Sequence, residues 1–250
     1  MKNTFVLLIL GLIFNSIPSQ AQSPGSNLEI VPVLPQETFT PKGYDENDNA
    51  QIVLYGKYRD LCHKSAPPIF TIDSENKKIY VQNRAYQMEF CPRIYMITPF
   101  TTVLSLGTLP QGNYEIYVMD EKGNNVFMEN LPINAAKKAG SVDNYTYAQV
   151  DEIQVLKASA TNTLPIVLKG TLNNSCLSLK EVKVALTAGN VYDVLPILNV
   201  SESNCEAVNT PYSTTVYLKN FPVAPTLINV RSMGGQSIER VVDANSNSKN

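Results

Sequence analysis

The residues best suited to chemistry in this 250-residue chain are four cysteines and a single histidine. The cysteines form two pairs, and the members of each pair are 29 positions apart. No two cysteines have the Cys-x-x-Cys spacing of a zinc ribbon or a thioredoxin-like redox site. We therefore interpret the four cysteines as disulfide partners. They are Cys62, Cys91, Cys176 and Cys205.

The histidine, His63, directly follows Cys62. A chain with one imidazole cannot provide two histidine ligands to zinc, and a Ser-His-Asp or Cys-His catalytic group would have to use His63. Its neighbouring cysteine is better used in a disulfide. We therefore interpret His63 as a solvated loop residue.

A third candidate is the acidic stretch at residues 43–49, where Asp45, Asn47 and Asn49 resemble the start of a calcium-binding loop. Such a loop requires glycine at its sixth position and glutamate at its twelfth, and this chain has Ala50 and Gly56 there. We interpret the stretch as a solvated insertion without a metal.

Other kinds of site leave no signature in the sequence. There is no glycine-rich phosphate loop and no basic patch with interleaved aromatic residues. The formal net charge of −2 is too mild for a nucleic-acid partner. A carboxylate pair for glycoside hydrolysis is a tertiary property and stays open. The expectation is a protein that is not an enzyme and has no cofactor.

The N-terminus predicts export. Lys2 precedes an apolar run at residues 5–14, and Ser19, Gln20 and Ala21 form a small-residue exit. Residues 1–21 therefore constitute a predicted signal peptide. The run is about ten residues, whereas a membrane span needs roughly 20. We expect a periplasmic or secreted protein with no membrane span.

An internal repeat organises the rest of the chain. The segment Ile-Val-Leu-Tyr-Gly at 52–56 recurs as Ile-Val-Leu-Lys-Gly at 166–170, at the same spacing as the two cysteine pairs. Pro-Phe-Thr-Thr at 99–102 likewise recurs as Pro-Tyr-Ser-Thr at 211–214. Three anchors at nearly one spacing indicate a duplicated segment. One intradomain bridge per copy then selects Cys62–Cys91 and Cys176–Cys205 from the three possible pairings.

The predicted organisation is a β-sandwich domain at 22–136, a linker and second β-sandwich domain at 137–243, and a disordered tail at 244–250. Alternating apolar and polar residues predict strands in both copies. We also expect Glu29-Ile30 to correspond to Glu152-Ile153. Helical spacing at 145–159 is a competing interpretation, but a linker plus strand is favoured because the aligned first copy contains Pro32 and Pro35. The segments predicted as strands are 78–82, 103–106, 114–118, 181–186, 215–218 and 227–230.

The stretch from Cys91 to Val118 resembles a recurring bacterial exported domain. The shared signature is two cysteines, a Pro-Phe segment, and the ending Leu-Gly-x-Leu-Pro-x-Gly-x-Tyr-x-Val-x-Val, which covers about a third of the first copy and is degraded in the second. The family is similar to immunoglobulin and fibronectin-type sandwiches. The resemblance therefore implies an all-β fold of two tandem immunoglobulin-like domains and an exported location, but no activity.

The end of this signature predicts a structural corner. Pro110 restricts φ and Gly112 tolerates positive φ, so the turn can deliver Tyr114 into the next strand. The Tyr114 hydroxyl could then bond the preceding backbone, as in a tyrosine corner. In the second copy Ala224 and Thr226 replace Gly112 and Tyr114, which predicts a looser corner.

The functional expectation is a non-catalytic binding or structural module of the cell envelope, whose partner is an envelope protein or glycan. The alternative is an inhibitor or accessory subunit of an exported enzyme. It would present a loop such as 44–49 or 85–90.

Overall fold

A computed structural model describes residues 28–89, 91, 94–136, 145–157, 162–187, 190–201 and 204–243. The predicted signal peptide, the tail at 244–250 and most of the linker lie outside these residues. Within them the chain is all-β, as predicted, with a single 3₁₀ turn at Met233–Gly235. We call residues 28–136 the first half and 145–243 the second half.

The strands are numbered in chain order through both halves. Those of the first half are β1 (Leu28–Pro32), β2 (Glu37–Phe39), β3 (Ala50–Tyr58), β4 (His63–Asp73), β5 (Lys78–Met88), β6 (Thr98–Gly107), β7 (Gly112–Met119) and β8 (Asn125–Ile133). Those of the second half are β9 (Glu152–Val155), β10 (Leu164–Leu172), β11 (Leu177–Thr187), β12 (Val191–Val200), β13 (Thr210–Leu218), β14 (Thr226–Ser232) and β15 (Gln236–Val242).

The two halves have the same strand pairing. In the first, β2-β3-β6 form a three-stranded sheet, and β4-β5-β7-β8 form a larger one to which β1 adds beside β5. In the second, β9-β10-β13 and β11-β12-β14-β15 repeat this order. The pairs β5–β7 and β12–β14 are parallel, which departs from the antiparallel sheets of an immunoglobulin sandwich.

The strand register corrects one expected correspondence. Glu152 of β9 lies opposite Lys169, as Glu37 of β2 lies opposite Tyr55, so β9 matches β2. The counterpart of β1 is the segment around Tyr147, which bridges Ile197 of β12. The alignment of Glu29-Ile30 with Glu152-Ile153 was therefore wrong.

No helix forms in the described part of 145–159, so the favoured interpretation of that segment, a linker plus strand, agrees with the structure. The Glu-Ile match that suggested the wrong alignment has only two residues and can arise by chance. The pairing partners, which decide the correspondence, are distant in sequence.

Each half has its own apolar core. Side chains that alternate along β3, such as Ile52 and Leu54, pack against Ile116 and Val118 of β7. In the second half the matching core contains Ile166, Leu168, Tyr192, Val194, Ile228 and Val230. Burial of these side chains is the main favourable contribution to folding of each half.

A third apolar cluster joins the halves. The other face of β3 presents Val53 and Tyr55, which with Phe39 pack against Val191 and Leu227 of the second half. The three-stranded sheet of the first half therefore lies against the four-stranded sheet of the second. This contact explains why every residue of β14 is buried.

Candidate functional site

Both predicted disulfides are present. The Cα atoms of Cys62 and Cys91 are 5.6 Å apart, and those of Cys176 and Cys205 are 5.2 Å apart. The first bridge links the residue before β4 to the segment after β5, and the second makes the matching link around β11 and β12. Two disulfides are typical of proteins in an oxidising, exported compartment.

The segment that follows Cys91 presents four consecutive apolar side chains to solvent. Ile94, Tyr95, Met96 and Ile97 are 51%, 85%, 52% and 70% exposed. We call residues 94–97 the apolar loop. It lies between the disulfide and the start of β6.

Further exposed apolar residues surround the same disulfide. Leu61 precedes Cys62, and Met88 donates its backbone N–H to the Cys62 carbonyl at 3.0 Å. Leu28 lies opposite Met88 across β1 and β5. Exposed apolar patches of this kind mark interaction sites in soluble proteins.

The second half carries much less apolar surface here, because of its four matching positions only Val208, the counterpart of Met96, has a large apolar side chain, which is 46% exposed. Counted back from the matching strands β6 and β13, the counterparts of Ile94, Tyr95 and Ile97 are Glu206, Ala207 and Asn209, all exposed. Both loops follow a disulfide and lead into the same kind of strand. The fold therefore does not require apolar residues at these positions.

The tyrosine of the predicted corner is fully buried in the first core. The Tyr114 hydroxyl donates to the Pro110 carbonyl at 3.1 Å, and Lys77 Nζ lies 3.4 Å from the same hydroxyl. Gly112 has a φ of +156°. These contacts indicate a structural role in the corner for Pro110, Gly112 and Tyr114. None of the contacts is with the apolar loop.

The second half holds its corner with other groups. Thr226, which replaces Tyr114, donates its hydroxyl to the Ala224 carbonyl at 2.9 Å. Tyr192, on the neighbouring strand β12, donates its hydroxyl to the Lys219 carbonyl. Tyr192 was not predicted as a corner residue, because in the repeat it aligns with a core position of β5 rather than with Tyr114.

The acidic stretch at 43–49 is not a solvated insertion. Tyr44 is buried within the first core, and Asp48 forms a buried ion pair with Arg231 of the second half at 2.6 Å. The expectation was wrong because the stretch is mostly polar, whereas Tyr44 packs in the core and the Asp48 carboxylate has a partner that is distant in sequence. Among the described residues, no group of three or more His, Cys, Asp or Glu side chains is arranged to hold a metal.

A cleft of about 330 Å³ lies beside this ion pair, between the halves. Tyr147 and Asp193 line it with Lys42, Asp48 and Arg231. Burial raises the pKa of the Asp193 carboxyl, whose oxygen accepts a 2.8 Å hydrogen bond from the Asn229 side chain. Because Asp48 and Arg231 neutralise each other and their side chains are nearly buried, the ion pair joins the two halves.

His63 opens β4 and is half-buried, so the interpretation of a solvated loop residue was wrong. Its Nδ1 lies 2.7 Å from Asp60 Oδ1, and its ring stacks on Tyr58. These contacts explain the residue as part of the local turn around Cys62, whose backbone N–H also donates to Asp60 Oδ1.

Comparison of the chain with protein-family models, with curated proteins and with solved structures found no match. The described residues contain no helix with the length and hydropathy of a transmembrane span.

Proposed function

We propose that this chain is a non-catalytic exported module of two immunoglobulin-like β-sandwich domains that binds an envelope protein through the apolar loop. The observation that carries the proposal is the contrast between Ile94, Tyr95 and Ile97 and their small or polar counterparts at positions 206, 207 and 209. A duplicated fold tolerates polar residues there, yet one copy exposes four apolar side chains.

The chemistry of the loop favours a protein partner over a glycan. Tyr and Met are enriched at protein interfaces, and apolar side chains contribute most when a partner removes them from water. The Cys62–Cys91 bridge anchors the segment at one end and β6 at the other. Anchoring reduces the conformational entropy that binding would otherwise cost.

The modular architecture supports the same proposal. Each half has its own core and repeats the strand order of the other, which is consistent with tandem sandwich domains. The disulfides support export. The only histidine is engaged in a local turn, which supports a non-catalytic role.

The inhibitor alternative differs in the class of partner, which would be an exported enzyme. Of its two candidate loops, 44–49 packs between the halves, with Asp48 nearly fully buried. The other, 85–90, was wrongly expected to be a loop, because its residues 85–88 belong to β5. An inhibitor would therefore also have to use the surface near the Cys62–Cys91 bridge. The same experiment can distinguish these partners.

The test replaces the loop residues by their second-half counterparts, as Ile94→Glu, Tyr95→Ala and Ile97→Asn together. We expect the tagged wild-type protein to recover a specific cross-linked protein from envelope extract. The amount that the variant recovers should be lower by about ten-fold or more. The matched control, Ala207→Ser with Val208→Ser, should recover the wild-type amount. Circular dichroism establishes that all three proteins are folded.

Identification of the recovered protein separates a structural envelope component from an enzyme. Equal recovery by wild type and by the folded loop variant would refute a role for the apolar loop, as would recovery of no protein above background.

A further inference from the structure

We propose that a second copy of this chain docks on the outer face of the β4-β5-β7-β8 sheet, giving a symmetric dimer. This inference goes beyond the proposed function and does not use the apolar loop.

The outer face of this sheet carries a row of apolar side chains, which we call the aromatic face. Alternate residues of β5 and β7 point into the core, so Tyr80 and Tyr117 point outward. Their rings stack with centroids 5.5 Å apart, and Phe127 meets Tyr117 edge-on at 5.8 Å. Ile69 lies opposite Gln82 at the side of this row and is 47% exposed, and Phe127 is 49% exposed. With Met119, the next outward residue of β7, these residues define the aromatic face.

The matching face of the second half is already a docking surface. There, Val191 of β12 and Leu227 of β14 pack against Phe39, Val53 and Tyr55 of the first half. In the second half, the outer face of the four-stranded sheet is therefore covered by the three-stranded sheet of the first half. In the first half no described residue covers the equivalent face.

The first candidate for an occupant is the free three-stranded sheet of another molecule, stacked head to tail. That sheet has Gln154 and Lys169 where the docked sheet of the first half has Phe39 and Tyr55. Lys169 is also engaged with Glu152 at 3.2 Å. This polar surface does not complement an apolar row.

A second aromatic face is the better complement. Two-fold symmetry places apolar residues against apolar residues, and it closes the assembly at two copies. At one end of the face Lys78 and Glu115 lie 3.8 Å apart, so this end carries both signs of charge and does not repel itself in a symmetric pair. The occupant assigned by these contacts is therefore another copy of the same face.

The experiment measures the mass of the mature chain by sedimentation velocity between about 1 and 100 μM, a range that spans the affinities of modest interfaces. We expect a dimer for wild type. Phe127→Glu with Ile69→Glu should weaken dimerisation at least about 100-fold, because two exposed apolar contacts per copy become charges that repel across the two-fold axis.

Two controls make the outcome specific. Tyr217→Glu, at an exposed site on the free three-stranded sheet, should leave the dimer intact, as should the apolar-loop variant described above. A monomeric wild type overturns the proposal. Loss of the dimer through Tyr217→Glu but not through Phe127→Glu with Ile69→Glu, or assembly beyond two copies, overturns it in favour of head-to-tail stacking.

Discussion

At the scale of single residues, the repeated glycine of the two Ile-Val-Leu-x-Gly segments has a packing role. Gly56 lies opposite Phe100 across β3 and β6, and Gly170 lies opposite Tyr212 across β10 and β13. A methyl group at Gly56 would come within 2.5 Å of the Phe100 ring, whereas one at Gly170 would collide with the Gln149 carbonyl oxygen. An aromatic ring in each half thus covers a glycine on the neighbouring strand.

Gly170→Ala should therefore destabilise the protein more than Gly56→Ala. A ring can rotate aside, but the Gln149 carbonyl is backbone and accepts a 2.9 Å hydrogen bond from the Tyr212 hydroxyl. We expect losses of about 3 kcal/mol for Gly170→Ala and about 1 to 2 kcal/mol for Gly56→Ala. Urea unfolding monitored by circular dichroism measures both. Equal losses would contradict the assigned role of the Gln149 carbonyl.

At the scale of elements, each disulfide closes the open end of a long hairpin. Cys62 and Cys91 flank β4–β5, and Cys176 and Cys205 flank β11–β12. Strands β4 and β11 lie at the edges of their sheets, and both contain a register shift. The covalent link therefore holds the end of an edge strand whose backbone pairing is interrupted a few residues farther along.

Replacement of both Cys62 and Cys91 by alanine should cost roughly 3.5 kcal/mol, the chain-entropy value for a loop of about 30 residues. We expect the amides of β4 to lose hydrogen-exchange protection before those of β7, because β7 is paired on both sides. The Cys176→Ala, Cys205→Ala protein provides the matched control, in which β11 should exchange faster and β4 should not. Unchanged protection of β4 in the first variant would show that the bridge does not hold the edge strand.

At the scale of the whole molecule, charged groups as well as apolar groups join the halves. Besides Asp48–Arg231, Asp243 pairs with Lys57 and accepts a 2.9 Å hydrogen bond from the Tyr55 hydroxyl. Removing one member of a buried pair leaves an unbalanced charge, which makes such contacts sensitive to substitution. The covered sheet also carries Glu239, and burial raises the pKa of its carboxyl to about 7.

The raised pKa of Glu239 predicts how stability changes with pH. The folded chain keeps the Glu239 proton up to about pH 7, whereas the unfolded chain releases it near pH 4.5. Between these values the folded state binds more protons, so the free energy of unfolding falls as pH rises. Asp193 contributes in the same direction, because burial also raises its pKa.

Glu239→Gln should remove about 1 to 2 kcal/mol of this pH dependence, after allowance for partial solvent screening. The measurement is urea unfolding of wild type and variant at pH 4.5 and pH 7.5. The variant should gain stability relative to wild type at the higher pH. Parallel pH profiles for the two proteins would contradict the burial of the Glu239 carboxyl.

The local pattern determined much of this molecule. Alternation of apolar residues at segments such as 78–82 predicts strands because side chains on successive residues of a strand point to opposite faces. Repetition of the cysteine spacing selected Cys62–Cys91 and Cys176–Cys205, since a duplicated segment carries its own bridge. The Pro-x-Gly-x-Tyr motif predicted a turn before Tyr114, and the Tyr114 hydroxyl does donate to the Pro110 carbonyl in that turn.

Only the tertiary structure decided which surfaces meet. From the sequence, Tyr44 and Asp48 are expected to be polar loop residues, but in the fold both lie beside Arg231. Val53 is expected to be an outward residue of β3, but the second half covers it. The apolar loop was also not predicted as a binding surface, because sequence periodicity does not show which apolar side chains are exposed. Contacts between distant segments depend on how whole sheets pack, and the residues on either side of such a contact carry no local sign of their partner.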